Sequence, residues 1–347
     1  MLNQIVPKIK KITFIFLIII LGIIAILKGN AATIGVKNGL LLCSSIIIPS
    51  LFLFTVIALL FIKSNAINFA GEKLNSLIIK VFGLNISEFS IFILSLIGGY
   101  PIGAKLINEQ FAEEKITKQR ANLLLYCSIN AGPSFIIFTV GYLMLNSKSL
   151  GLILFVSNLL TSLIFALICF KFIKSKSSTI KSTTTTSLTD SFVISVEQTS
   201  RLFINICGWV IFFSGICEII NSLSMPDFVK NLCSIFSEVT ISVATAKKLK
   251  FAPYFFSFLL SFGGLSTICQ IKSAAKNLNP NIFLLFINRL FHGGISALLT
   301  FILLKIFPRA TETLSNGVVA VWNGFEWNFA SLFLMVVAVF FIIYVKQ

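Results

Sequence analysis

The residues Ser95-Leu96-Ile97-Gly98-Gly99-Tyr100-Pro101-Ile102-Gly103-Ala104-Lys105 set a backbone break inside an otherwise lipid-grade apolar run. Gly98 and Gly99 permit positive φ, and Pro101 lacks a donor and pushes Tyr100 away from helical angles, so a regular helix fails here. In hydrocarbon each freed backbone group costs several kcal/mol unless protein buries it or it lines a cavity. A break at that depth therefore marks a site, or else a kink or close helix contact of the kind that Gly and Pro allow in membrane helices.

The surrounding chain makes this a membrane problem. Of 347 residues 56% are hydrophobic and 12% charged, mean hydropathy is +0.97, and several apolar runs exceed the ~18 to 20 residues that span a bilayer. The alternating ten-residue segments of a β-barrel do not occur, so the fold class is an all-α polytopic membrane protein. The formal charge of +16 sits mostly in short segments between spans, which fits the loop-charge rule and attraction to membrane lipid rather than a nucleic-acid face. Seven scattered cysteines and a single histidine form no C-x-x-C pair and predict neither metal nor cofactor.

Outward from the break, Lys8, Lys10 and Lys11 precede an apolar run at 12–27, an anchor helix within residues 1–30. A span at about 40–62 carries Pro49, and Leu74, Leu77, Ile78, Val81 and Phe82 opposite Lys73, Asn75, Ser76 and Lys80 predict an interfacial helix. If the Gly98-Gly99 run is re-entrant, the segments bearing Lys63, Lys73, Lys80, Lys105, Lys115, Lys118, Arg120 and Lys171 fall on one side, as the charge rule requires; if it crosses, they separate. Re-entry is therefore expected. Thr117 caps the next helix, which carries Asn130-Ala131-Gly132-Pro133-Ser134, and a span at 149–172 ends in a Ser/Thr-rich linker, 175–190.

The chain then divides into a first repeat, 31–174, and a second, 191–347. The second shows a span at about 202–223, an amphipathic segment around Val229–Phe236, a run broken at Gly263 and Gly264, and an Asn279-Pro280 helix start. A helix bearing His292-Gly293-Gly294 and a final span at about 318–344 with Trp322 and Trp327 follow. Thr117 to Asn130 and Asn279 to His292 are both 13 residues, which pairs Asn130 with His292 and Ser134 with Ser296. About seven spans and two broken or re-entrant helices result. An odd number of crossings per half would invert the second half, although inversion places Lys247, Lys248, Lys250, Lys272 and Lys276 against the charge rule.

Broken helices present free amides and a partial positive charge to a small polar or anionic solute. The candidate site comprises Gly98, Gly99, Tyr100, Lys105, Asn130, Ser134, Gly263, Gly264, Ser266, Thr267, Gln270, Arg289 and His292. Tyr100 offers a ring, Ser266, Thr267 and Gln270 offer hydroxyl and amide groups, and Arg289 needs a partner that an anion or Glu238 would supply. Enzyme readings fail: the aspartates Asp190 and Asp227 lie outside the spans, and neither H-E-x-x-H nor a P-loop occurs. A membrane scaffold needs no special residues and stays open.

Gly98-Gly99-Tyr100-Pro101-Ile102-Gly103-Ala104-Lys105 and Cys127-Ser128-Ile129-Asn130-Ala131-Gly132-Pro133-Ser134-Phe135 resemble the Gly-Tyr-Pro-x-Gly-Ala-Lys and Asn-x-Gly-Pro-x-Phe signatures of the YlbJ sporulation membrane family, within the nucleoside-recognition or Gate-domain group. Ser237-Glu238-Val239-Thr240-Ile241-Ser242 departs from the glycine expected there after Glu-x-Thr. The resemblance implies a fold like the concentrative nucleoside transporters, a place in the outer forespore membrane and movement of dipicolinic acid during sporulation; a nucleoside-type solute is the alternative.

Overall fold

The structure is a computed structural model that describes residues 2–64, 72–172 and 187–308. It is all-helical, with no strand among the described residues. Five helices there are long and apolar enough to cross a membrane, or six if one bent pair counts as a span. The expectation of about seven counted 318–344, which lies outside the described residues, as does most of the 175–190 linker; Ser187 already caps the helix that follows.

Helix α1 covers Leu2–Leu27. Helix α2, Gly29–Leu42, continues through a π-turn at Cys43–Ile47 into α3, Ile48–Lys63, as one 35-residue span that starts well before the expected residue 40. Pro49 lacks an N–H and crowds the carbonyl four residues back, and the wide turn just ahead absorbs both defects without ending the helix. Helix α4, Glu72–Phe82, meets α5, Ile86–Gly98, at 71°. Asn85 and Glu88 close a reciprocal capping box at that corner, each accepting from the other's backbone N–H at 2.9 Å.

At Gly99 (φ +92°) the chain turns back into α6, Tyr100–Ala112. Ser95 and Gly103 would lie about 12 Å apart on a continuous helix. Here a Cβ placed on Gly103 would stand 2.7 Å from the Ser95 Cβ. The two arms therefore double back on each other as an antiparallel hairpin. Glu109 on its returning arm pairs with Lys63 at the end of α3.

Helix α7, Lys118–Ser128, starts at the same end, capped by Thr117. After a break it continues as a π-helix, Ser134–Met144, and α8, Lys148–Phe172, brings the chain back. Arg120 at the start of α7 stacks over Phe170 near the end of α8, with its charge centre 5.0 Å from the ring.

The second half opens with α9, Leu188–Asn221, antiparallel to α2 and α3. Ser191 meets the Lys63 carbonyl at one end, and near the other a Cβ on Gly35 would stand 2.7 Å from the Ser214 carbonyl, the small-residue contact by which membrane helices approach closely. Helices α10, Asp227–Ser237, and α11, Val239–Lys248, form a second hairpin around Glu238: Ser242 donates to the Ile235 carbonyl. Lys247 at its end reaches the Met144 carbonyl, so this hairpin enters from the end opposite the first.

Helices α12, Pro253–Phe262, and α13, Gly264–Ala274, follow with a discontinuity at Gly263 and Gly264 (φ +79° and +80°). They still form one 22-residue span. The double glycine is thus a break within a span, the broken rather than the re-entrant form of the two expected, and the second hairpin turn falls at Glu238, where no glycine signals it. Helix α14, Ile282–Ile306, is capped by Asn281 rather than Asn279. It runs unbroken through His292-Gly293-Gly294, whereas α7 stops before Asn130, so the equal 13-residue spacings do not mark equivalent positions. Asn108 of α6 accepts from the backbone N–H groups of Asn277 and Leu278, which returns Lys272 and Lys276 to the end shared with Lys63.

Candidate functional site

Four helix breaks meet in two pairs. Gly99 lies against the α7 break, where its Cβ would be 3.3 Å from the Gly132 nitrogen, and a Cβ on Gly132 would stand 2.9 Å from the Ile97 carbonyl. Gly264 lies against the second hairpin, 2.9 Å from the Ser237 carbonyl and 3.1 Å from the Glu238 nitrogen by the same measure. Both crossings need backbone-to-backbone approach, which explains glycine at each.

A broken helix leaves carbonyls and amides without partners, and side chains from distant elements satisfy them here. The Tyr100 hydroxyl donates to the Leu260 carbonyl, in the last turn of α12. The Arg289 guanidinium donates to the Ile129 carbonyl where α7 ends, and to Asn130 Oδ1 at 3.4 Å. The Glu238 carboxylate accepts from the Thr240 and Ile241 amides at 2.8 and 3.1 Å, opening α11. Glu238 is therefore occupied as a cap and is not the counter-ion of Arg289. Thr267 closes its own turn by donating to the Gly263 carbonyl at 2.7 Å.

From these caps a buried polar network runs between the halves. Asn130 donates to the Asn158 carbonyl and to Ser162, both on α8. Asn158 donates to Ser257 and accepts from Ser261 on α12. His292 sits between Ser162 at 3.3 Å and Ser261 at 3.2 Å, and Ser257 meets Ser296 at 2.7 Å. Arg289 is fully buried, its Nε has no hydrogen-bond partner, and no carboxylate among the described residues lies within ion-pair distance of it.

Of the residues selected from sequence, the fold brings Gly98, Gly99, Tyr100, Asn130, Arg289 and His292 to the first crossing, and Gly263, Gly264 and Thr267 to the second, joined by the Tyr100–Leu260 bond. Ser266 and Gln270 pair with each other at 3.1 Å on α13. Gln270 also lines a small hollow with Pro101 and, from α9, Asn205 and Trp209. Ser134, half-buried, begins the π-helix. Lys105 stands apart, paired with Glu109 at 3.1 Å on the outer part of α6.

Sequence inspection passed over Asn158, Ser162, Ser257 and Ser261. Their signal was present: each pair is four residues apart, one polar stripe on an apolar helix. It passed over the Glu88–Arg120 pair as well, in which a buried carboxylate and guanidinium join α5 to α7 while Arg120 also reaches the Gly83 carbonyl. Comparison with family models, curated proteins and solved structures returned no match.

Proposed function

We propose that this chain is a secondary transporter or facilitator for a small anionic solute, with its halves forming an inverted repeat like that of the concentrative nucleoside transporters. The observation that carries this reading is the pair of hairpins entering from opposite ends, each turning against a broken span. Discontinuous helices whose ends meet inside the protein are how transporters expose backbone groups to a solute without exposing them to lipid.

The anionic preference rests on Arg289. A fully buried guanidinium held by neutral carbonyl and amide oxygens is a cation without a counter-charge among the described residues, and a carboxylate offers it stronger, charge-assisted bonds than those partners do. Exchange of the Ile129 carbonyl for a solute carboxylate would free the end of α7, coupling binding to movement at the first crossing. Tyr100 and His292, beside it, present rings to a planar solute. The resemblance of the Gly98–Lys105 and Cys127–Phe135 stretches supports dipicolinate, a planar dianion, as the probe to use.

The test is uptake of labelled dipicolinate by liposomes holding the purified chain, beside Arg289→Gln. Expected is saturable uptake that the variant loses. Folded wild-type protein without flux overturns the reading and leaves a membrane scaffold.

A further inference from the structure

His292 is the one histidine of the chain, and it is fully buried inside the polar network. The direction of each hydrogen bond around it fixes which ring nitrogen is bare. Asn158 donates to the Leu154 carbonyl at 2.9 Å, an acceptor only, so its Oδ1 is the atom that faces Ser261 at 2.6 Å, and the Ser261 hydroxyl donates to it. With that hydrogen used, Ser261 accepts from His292 Nδ1 at 3.2 Å, which puts the ring proton on Nδ1 and leaves Nε2 a lone pair. The other side agrees. Arg289 donates to Asn130 Oδ1, which turns the Asn130 amide nitrogen to Ser162 Oγ and leaves the Ser162 hydrogen for Nε2, 3.3 Å away. The bonds thus run one way from Arg289 through Asn130, Ser162, His292 and Ser261 to Asn158, and Nε2 is the basic atom among them.

Arg289 and His292 stand three positions apart on α14, neighbours on one face. From α8 the imidazole meets Ser162 and the Phe165 ring, 4.9 Å away, and from α12 it meets Ser261; none carries a charge. The titratable side chain of α12, Tyr254, stacks on Phe301, and those of α8, Lys148, Cys169 and Lys171, are at least seven residues from Ser162. Tyr100 of α6 and Cys127 of α7 lie on the guanidinium's side, Tyr126 and Cys269 are partly exposed, and Lys272 of α13 is held by Asn279 and the Pro280 carbonyl. Arg289 is the charge that acts on His292 among the described residues. While the guanidinium has no counter-charge, it opposes a second cation beside it. A dianion reverses this: one of its charges cancels Arg289, and the other is left in a buried site that now favours a proton.

We infer that His292 Nε2 binds a proton together with a dianionic solute at Arg289, so that solute and proton move as a pair. The inference rests on the transport reading. The proton comes from solvent at the open site and forms an N–H bond at Nε2. Ser162 then accepts from that N–H and turns its own hydrogen to the Asn158 carbonyl one turn back, the bond that Ser157 and Thr161 already make to their own preceding turns on α8. Dianion, guanidinium and imidazolium sum to zero charge, and each of solute and proton tightens binding of the other by the same factor.

With one histidine in the chain, isotope-labelled imidazole nitrogens report on His292 alone in the purified full chain, carried without a histidine tag. Magnetic resonance at neutral pH is expected to show a protonated Nδ1 and a bare Nε2, and Ser162→Ala is expected to shift the Nε2 signal while leaving Nδ1 in place. Saturating dipicolinate at the same pH is expected to protonate both nitrogens. Picolinate, with one carboxylate, cancels Arg289 without a surplus and is expected to leave Nε2 bare at saturation. A proton on Nε2 before any solute is added, an Nε2 signal indifferent to Ser162→Ala, an Nε2 still bare with labelled dipicolinate bound, or equal protonation by picolinate would each overturn the inference and leave the transport reading standing. Absence of dipicolinate binding overturns the transport reading, and the inference with it.

Discussion

The hydroxyl of Tyr100 donates to the carbonyl of Leu260, 160 positions later in the chain. Tyr100 opens the helix that follows one break, and Leu260 lies in the last turn before another, where Gly263 leaves carbonyls without their usual i+4 donors. One side chain thus ties the two halves together at their weakest backbone points.

Tyr100→Phe keeps the ring and removes the donor, leaving a buried carbonyl unpaired. The expected cost is about 1–3 kcal/mol. Thermal unfolding in detergent should show a lower midpoint for the variant with membrane insertion unchanged; an unchanged midpoint would mean that the bond contributes nothing.

Arg289→Lys retains a charge but cannot reach the Ile129 carbonyl and Asn130 together. Uptake by the variant should fall at least about tenfold, and Arg289→Gln should fall further, because the charge is gone too. Equal uptake by Arg289→Gln and wild type would show that the solute does not use this cation.

Gly264→Ala places a methyl group 2.9 Å from the Ser237 carbonyl at a φ of +80°, so strain and backbone contact act together. The expected loss exceeds about 2 kcal/mol, whereas Gly294→Ala, in a helix and with nothing within 4 Å, should be neutral or stabilising by up to about 1 kcal/mol. Fluorescence-detected melting of the two variants side by side checks both directions.

Glu88→Gln leaves Arg120 charged and buried without its carboxylate. Breaking such a pair from one side typically costs about 3–5 kcal/mol, so the variant should unfold earlier than the double replacement Glu88→Gln with Arg120→Met, which removes both charges. The order of the two midpoints, read by limited proteolysis across a temperature series, is the check; the reverse order would show that the buried charge is tolerated.

The site was partly legible. Gly99, Gly263 and Gly264 were readable as breaks because positive φ is a local property that composition reports. The Glu238 turn was not, since a carboxylate reaching forward to its own helix's amides leaves no glycine or proline in the string. The equal spacings to Asn130 and His292 misled for a related reason: a helix continues through His292-Gly293-Gly294, whereas α7 ends at Ser128 ahead of Pro133, which has no N–H to offer the Ile129 carbonyl that Arg289 takes up instead.

By itself the sequence determined the all-helical class, the apolar runs of spanning length and the double-glycine interruptions, all of which follow from solvent transfer and backbone sterics acting within a few turns. Loop charge points to the turn back at Gly99, but only the tertiary structure decided that the chain also doubles back at Glu238 and runs on through Gly263. It also decided that Arg289 faces Ile129 and Asn130 rather than Glu238. A break states only that backbone groups are left over; which partner takes them up depends on the distance between elements that lie far apart in the chain, and packing alone sets that distance.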